Sequence, residues 1–179
     1  MDVLVGQAAL SQKSIVLILS AFVAVVAACG QPQEGDYARV VSFDSATIRV
    51  HSAGNVTRFR VELAESPEQR TMGLMERMFL PDSGGMLFLY DRDEPADAGF
   101  WMYRTRLPLD IAFLDSSGIV VAVRHMEPCA ASLTSGCPNY VPGVPYRAAL
   151  EVNAGVFARH GIGIGARVEL PSRPSMSGS

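Results

Sequence analysis

The chain has 179 residues, 49% of them hydrophobic and 18% charged, with a formal net charge of −3 at pH 7. That length and apolar content suffice for one globular domain with a buried core and no need of covalent staples. With no basic excess and no Lys/Arg cluster, the chain lacks the means to neutralise a nucleic-acid backbone or to dock on anionic lipid headgroups, so no nucleic-acid partner is expected.

The first element is an uncharged apolar stretch from Ile15 to Ala28 that closes on Val26-Ala27-Ala28-Cys29. It has the apolar core and small-residue cleavage site of a secretory signal, and it falls short of the ~20 apolar residues that a spanning helix needs. The small pair before Cys29 resembles the lipobox of bacterial lipoproteins. That resemblance implies that residues 1–28 are a lipoprotein signal peptide and that Cys29, once lipidated, becomes the N-terminal membrane anchor. An ordinary signal peptide with an incidental cysteine is the alternative. Cleavage leaves the formal charge unchanged, because the removed segment carries one acid, Asp2, and one base, Lys13. Gly30 offers no Asp-type cue for inner-membrane retention, so the expected location is the bacterial envelope, facing the periplasm, with the outer membrane favoured.

Residues 29–37, rich in Gln, Pro, Glu, Gly and Asp, read as a flexible tether, and residues 38–170 as a single β-rich domain. Alternation of apolar and charged residues in Thr47–His51 and Arg58–Leu63, with Gly54-Asn55 between them, predicts an antiparallel hairpin. Ser66-Pro67-Glu68-Gln69 supplies an N-cap hydroxyl, Pro at the first helical position and Gln three residues after the Ser, so a short helix should follow and stop at Gly73. Apolar runs at Met86–Tyr90, Phe100–Met102, Leu109–Leu114 and Ile119–Val123 read as strands, the last two forming a hairpin around Asp115–Gly118.

The segment Pro128–Pro145 is too rich in Pro and Gly for regular structure and forms a long loop. Cys129 and Cys137 lie within it, and in an oxidising compartment they are expected to form a disulfide. A zinc site would need further ligands, and only His125 is near in sequence, so no metal and no cofactor are expected. A strand resumes at Ala148–Val152, Asn153 can cap a second short helix ending near Gly161, and Arg167–Leu170 is a last strand before a disordered tail over 171–179. Many short strands and two short helices make the class mainly β, an antiparallel jelly-roll-like sandwich or a partly closed barrel.

The ordered blocks Arg70, Gly73-Leu74-Met75, Gly85-Met86-Leu87-Phe88, Phe100-Trp101-Met102, Leu109-Asp110 and Leu150-Glu151 resemble the domain of unknown function 192 family, from about Phe59 to Leu170. The resemblance implies a mostly β, jelly-roll-like domain, often exported, with no settled biochemical activity. The family usually continues after Trp-Met with Lys-Asn-Thr, whereas this chain has Tyr103-Arg104-Thr105.

Arg70, Asp110 and Glu151 are charges set in apolar contexts. Asp110 can pair with Arg70 or Arg104, accept backbone N–H groups, or take a perturbed pKa in a cleft. With Trp101 and Met102, these residues are the candidate ligand-binding set, and Arg70, Trp101, Met102 and Asp110 are expected to border one surface depression. The function they suggest is binding of a small ligand or an envelope partner. A second reading makes Asp110 and Glu151 an acid/base pair acting on carbohydrate or cell-wall material. A third gives Met75, Met86 and Met102 to Cu(I) as soft ligands, although methionine is also ordinary core filler. There is no Gly-x-Ser-x-Gly or His-Glu-x-x-His motif, and Gly161–Gly165 follows a helix, so neither triad hydrolysis nor dinucleotide binding is indicated. If Cys29 carries the anchor, Cys29→Ser should abolish metabolic lipid labelling and release the protein from membrane fractions; persistent labelling of that variant would exclude Cys29 as the site.

Overall fold

A computed structural model describes residues 41–130 and 134–171. Cys29, the tether over 29–37 and the tail from residue 172 lie outside the described residues. Seven strands form one curled sheet, a half-barrel: β1 (Asp44–Ser52), β2 (Asn55–Ala64), β3 (Gly84–Glu94), β4 (Leu109–Leu114), β5 (Val120–Met126), β6 (Tyr146–Asn153) and β7 (Arg167–Val168). Their order is β5-β4-β6-β3-β2-β1-β7. Of the two expected architectures the partly closed barrel is the one formed, because the single sheet bends back on itself. At the seam, Val120 N–H donates to the Ala166 carbonyl, Gly165 N–H to Val120 and Val168 N–H to Gly118, each at 2.8–2.9 Å.

The β1–β2 hairpin matches the alternation in the sequence, with its turn one position earlier than expected. Ser52 pairs with Asn55, and Ala53 and Gly54 both take positive φ, the arrangement whose twist suits a two-residue hairpin loop. Every ladder is antiparallel except β2–β3, which is parallel. The expectation of a wholly antiparallel sheet fails there because residues 65–83 cross over from the end of β2 to the start of β3, a connection long enough to restore the strand direction. That connection holds α1 (Pro67–Met72), capped as its sequence requires: Gln69 N–H donates to Ser66 Oγ at 3.2 Å, and Ser66 N–H to Gln69 Oε1 at 2.9 Å.

Two further elements differ from the sequence reading. Phe100–Met102 is not a strand but part of a covering segment, tied down by mutual backbone bonds between Phe100 and Tyr140. The second helix, α2 (Val156–Arg159), is preceded by Gly155 in a left-handed conformation. Asn153 does not cap it. Its side chain donates to the Leu80 carbonyl at 2.7 Å.

The central strands bury both faces. One face, with Val50, Phe59, Leu87, Leu150, Val152 and Val168, lines the inside of the half-barrel, where α2 adds Val156 and Phe157. The other carries Met86, Phe88, Ile111, Phe113, Ala149 and Tyr146, and it is covered by chain: Leu74 and Leu80 from the crossover, Met102 from the segment between β3 and β4. Cys129 and Cys137 are bonded, as expected, and pin the loop that supplies Tyr140 to this cover. The chain-entropy model assigns such a short closed loop roughly 2–3 kcal/mol. The protein purified without reductant should therefore weigh two hydrogens less than its reduced form and expose no alkylatable thiol at Cys129 or Cys137, and Cys129→Ala should lower unfolding stability by about 2 kcal/mol; alkylation of both thiols in non-reduced protein would contradict the bridge.

Candidate functional site

The site begins with Glu151, in the middle of β6 and in the middle of the sheet. It lies opposite Met86 of β3 and Ile111 of β4, so its side chain leaves the sheet on the outer, covered face. Strand β3 approaches closely here: a Cβ on Gly85 would meet the Glu151 carbonyl oxygen at 2.5 Å, which accounts for the glycine. Glu151 is only 4% exposed, and burial pushes its carboxyl up to about 8 from an ordinary value of 4.5. The carboxyl forms no hydrogen bond or ion pair among the described residues.

Above it is a cavity of about 360 Å3 with Glu151 among its lining residues. Arg70, Thr71 and Met72 come from α1; Gly73, Leu74 and Met75 follow it; Phe88, Tyr90 and Glu94 come from β3; Phe100, Trp101 and Thr105 come from the covering segment. Arg70 is fixed in the wall. Its Nη1 donates to the carbonyls of Glu65 at 2.5 Å and Leu89 at 3.0 Å, and its guanidinium carbon lies 4.9 Å from the centre of the Tyr90 ring. Tyr90 packs edge to face on Tyr146, and burial raises both phenols, Tyr146 to about 12, so both stay protonated at physiological pH. Trp101 stands at the rim, 46% exposed, while Phe100 turns inward against Phe88 and Phe113.

The two loops that wall the cavity are also joined to each other, beside a second pocket that Glu76, Arg104 and Arg106 line. Glu76 N–H donates to the Arg104 carbonyl at 2.8 Å, Arg104 Nε to Glu76 Oε1 at 2.6 Å and Arg106 Nε to Glu76 Oε2 at 2.7 Å. These hydrogen bonds, Arg104's first, hold the Glu76 carboxyl below its usual range, but the group is solvent-exposed and such pairs contribute little stability. Arg104 has φ +55°, a conformation that Asn tolerates better than Arg, and this is the position where the family usually has Asn.

The expected depression is thus formed by part of the expected set. Arg70 and Trp101 come together in it, and Glu151, a candidate not expected at this depression, lines it with them. Met102 does not, being 1% exposed in the outer core cluster. Asp110 does not either: one residue from Ile111 on β4, it projects from the opposite face of the sheet to Glu151. Nor does it pair with Arg70 or Arg104. Asp110 Oδ1 meets His125 Nδ1 at 2.9 Å, and Oδ2 accepts the Gly155 N–H at 2.7 Å, tying the β4–β5 hairpin to the turn before α2. His125 also meets Glu127 at 2.9 Å, and the two carboxylates, Asp110 foremost, raise its pKa. An acid/base pair of Asp110 and Glu151 is therefore overturned, because the sheet stands between them. Of the three methionines considered for Cu(I), Met86 and Met102 are enclosed core residues and Met75 alone lines the cavity.

Sequence reasoning missed Tyr90, Glu94 and Thr105 as cavity residues and His125 as the partner of Asp110. Tyr90 ends the apolar run of β3 and has the parity of Met86 and Phe88, from which its place on the covered face could have been suspected; Thr105 is the one residue of the Tyr103-Arg104-Thr105 block that matches the family's Lys-Asn-Thr.

Comparisons with known proteins agree with this architecture. A crystal structure from Sinorhizobium meliloti 1021, described as a candidate transcription regulator, is 33% identical, with a TM-score of 0.64 over 72% of this chain and 95% of that one. A protein of unknown function from Novosphingobium aromaticivorans DSM 12444 is 32% identical, with a TM-score of 0.62 over 74% of this chain and 89% of that one. No curated protein matches the chain. The DUF192 family model, described as an uncharacterized ACR, matches residues 48–170, all seven strands except the first residues of β1 and with both helices, and the chain therefore belongs to the DUF192 family.

Proposed function

We propose that this protein is a lipid-anchored envelope protein whose half-barrel binds a small ligand in the cavity above β3 and β6. One observation carries the binding reading: Glu151 is a buried carboxyl with no partner among the described residues, at a cavity open to solvent. No side-chain oxygen or nitrogen among the described residues is both sealed from solvent and unpartnered, so the Glu151 carboxyl is reached from the cavity, and a ligand group entering it would meet a carboxyl whose hydrogen-bonding capacity the protein leaves unused. A cleft that combines a perturbed titratable group with an aromatic wall and a few polar groups is the usual form of a small-molecule site, and about 360 Å3 falls within the range of ~300–1,000 Å3 for such sites. The anchoring half of the proposal rests on Ala27-Ala28-Cys29 and the polar segment after it. Regulation of transcription, suggested by the description of the Sinorhizobium protein, finds no support in a chain with a net charge of −3 and no basic cluster.

Glu151 makes stability depend on pH with a definite sign. In the unfolded chain it ionises near 4.5, whereas the folded protein holds its proton up to about 8. Folding thus takes up a proton between those values, and the contribution of this group to stability falls as pH rises from about 4.5 to about 8, with no further loss above. Glu151→Gln keeps the shape and stays neutral. It should flatten that slope and be more stable than the native protein at pH 8, by on the order of a few kcal/mol, in urea titrations run from pH 5 to 9. An unchanged slope would mean that the carboxyl is paired in solution.

Trp101 tests the site itself. As a half-exposed rim residue, its replacement by Ala should cost no more than about 1 kcal/mol of stability while removing the melting-temperature response to any ligand found by thermal-shift screening. A loss of roughly 3 kcal/mol, the cost of truncating a buried Trp, would instead make it part of the core.

A further inference from the structure

Arg70 and Glu151 line the same cavity and do not pair with each other. Arg70 is held away by its own contacts, since Nη1 is taken by two backbone carbonyls and the guanidinium stacks on Tyr90. Its Nη2 and Nε donors find no acceptor among the described residues. One wall thus presents a fixed cation with spare donors, and the sheet presents a carboxyl with no donor. The partners each lacks are of opposite charge and must come from outside.

We infer that the cavity takes a small zwitterion of the free amino-acid class, its carboxylate on Arg70 and its ammonium on Glu151. The inference rests on the small-ligand reading above and gives that ligand its chemistry. The planar fork of a guanidinium matches a carboxylate better than any other small anion except phosphate, and a fixed fork loses little entropy on binding. Glu94, lining the same cavity, adds negative potential that favours an ammonium, and Phe100, Trp101 and Met75 offer an apolar wall for a side chain. A ligand with one charge leaves either the Arg70 cation without its anion or the Glu151 carboxyl without a hydrogen-bonding partner in a partly desolvated site, so the pair discriminates against it.

Binding also has a proton balance. The other titratable groups lining the cavity are Arg70 on α1 and Tyr90 and Glu94 on β3, with the Tyr146 ring packed against Tyr90. Tyr90 and Tyr146 stay protonated, so the proton that leaves when an ammonium seats is that of Glu151, and it passes to solvent. About one proton should be released per ligand at pH 7.

Trp101 is the only tryptophan in the chain, so its emission reports directly on the cavity rim. The full chain, purified in detergent micelles, is titrated with L-leucine, L-phenylalanine and glycine. The same is done with the amide, the N-acetyl acid and the N-acetyl amide of leucine, and with glucose. The expected result is a shift of Trp101 emission by at least one free amino acid. Its affinity should be at least tenfold above that of any singly charged or neutral analogue, with a proton released on calorimetry in paired buffers. Glu151→Gln should lose that proton release and weaken amino-acid binding at least tenfold. The analogue series needs no variant to fold and decides the question by itself. Binding of glucose or of a blocked analogue as tightly as the free amino acid would overturn the zwitterion and leave the small-ligand reading standing. Silence of every probe in both emission and melting temperature would overturn the inference and count against the cavity as a binding site.

Discussion

The central strands β3, β6 and β4 are apolar on both faces, and this constraint organises the rest of the molecule. A sheet buried on two sides must find two covers. Inside, it supplies its own by curling until β7 reaches the start of β5. Outside, the described residues form no second sheet, so the cover is made of connections: α1 and the loop after it, the segment before β4, and the loop clamped by Cys129–Cys137. Covers built from loops fit less completely than a packed sheet. The cavity is the gap that remains between α1 and the segment carrying Trp101, and Glu151 is the polar group that the gap leaves in contact with it.

Local signals in the sequence were the ones that could be read. The β1–β2 hairpin follows from alternation, and α1 from a capping box whose two hydrogen bonds join residues three apart. The disulfide, too, joins cysteines close in sequence. Family-block residues Arg70, Trp101 and Glu151 were legible as candidates. Their convergence was not, because it depends on a parallel crossover that no local pattern announces. The Phe100–Met102 run looked like a strand because a short apolar stretch reads the same whether it pairs in a sheet or lies across one.

The partner of Asp110 shows how little is needed to lose a site. Extending the β4–β5 pairing from Leu114↔Val120 in regular register places Asp110 opposite Arg124, an obvious ion pair. A bulge between Phe113 and Leu114 shifts the ladder by one residue, and Asp110 faces His125 instead. Arg124 turns to the carbonyls of Val141 and Pro142. Face parity settles the other carboxylate in the same way: Ile111 pairs with Glu151, so Asp110 and Glu151 cannot share a cleft, however alike they look in the sequence.

The seam at β7 has a consequence for behaviour in crowded solution. Open sheets carry unpaired edge strands that can recruit a strand from another molecule, a common start of aggregation. Here the two would-be edges, β5 and β1, are both engaged by the short stretch Gly165–Val168, and a Cβ on Gly118 would meet the Val168 carbonyl oxygen at 2.3 Å, leaving no room for slippage. A two-residue strand thus covers part of each edge, Val50–His51 of β1 and Val120 of β5, and bulk at residue 118 would open that seam and leave both stretches unpaired.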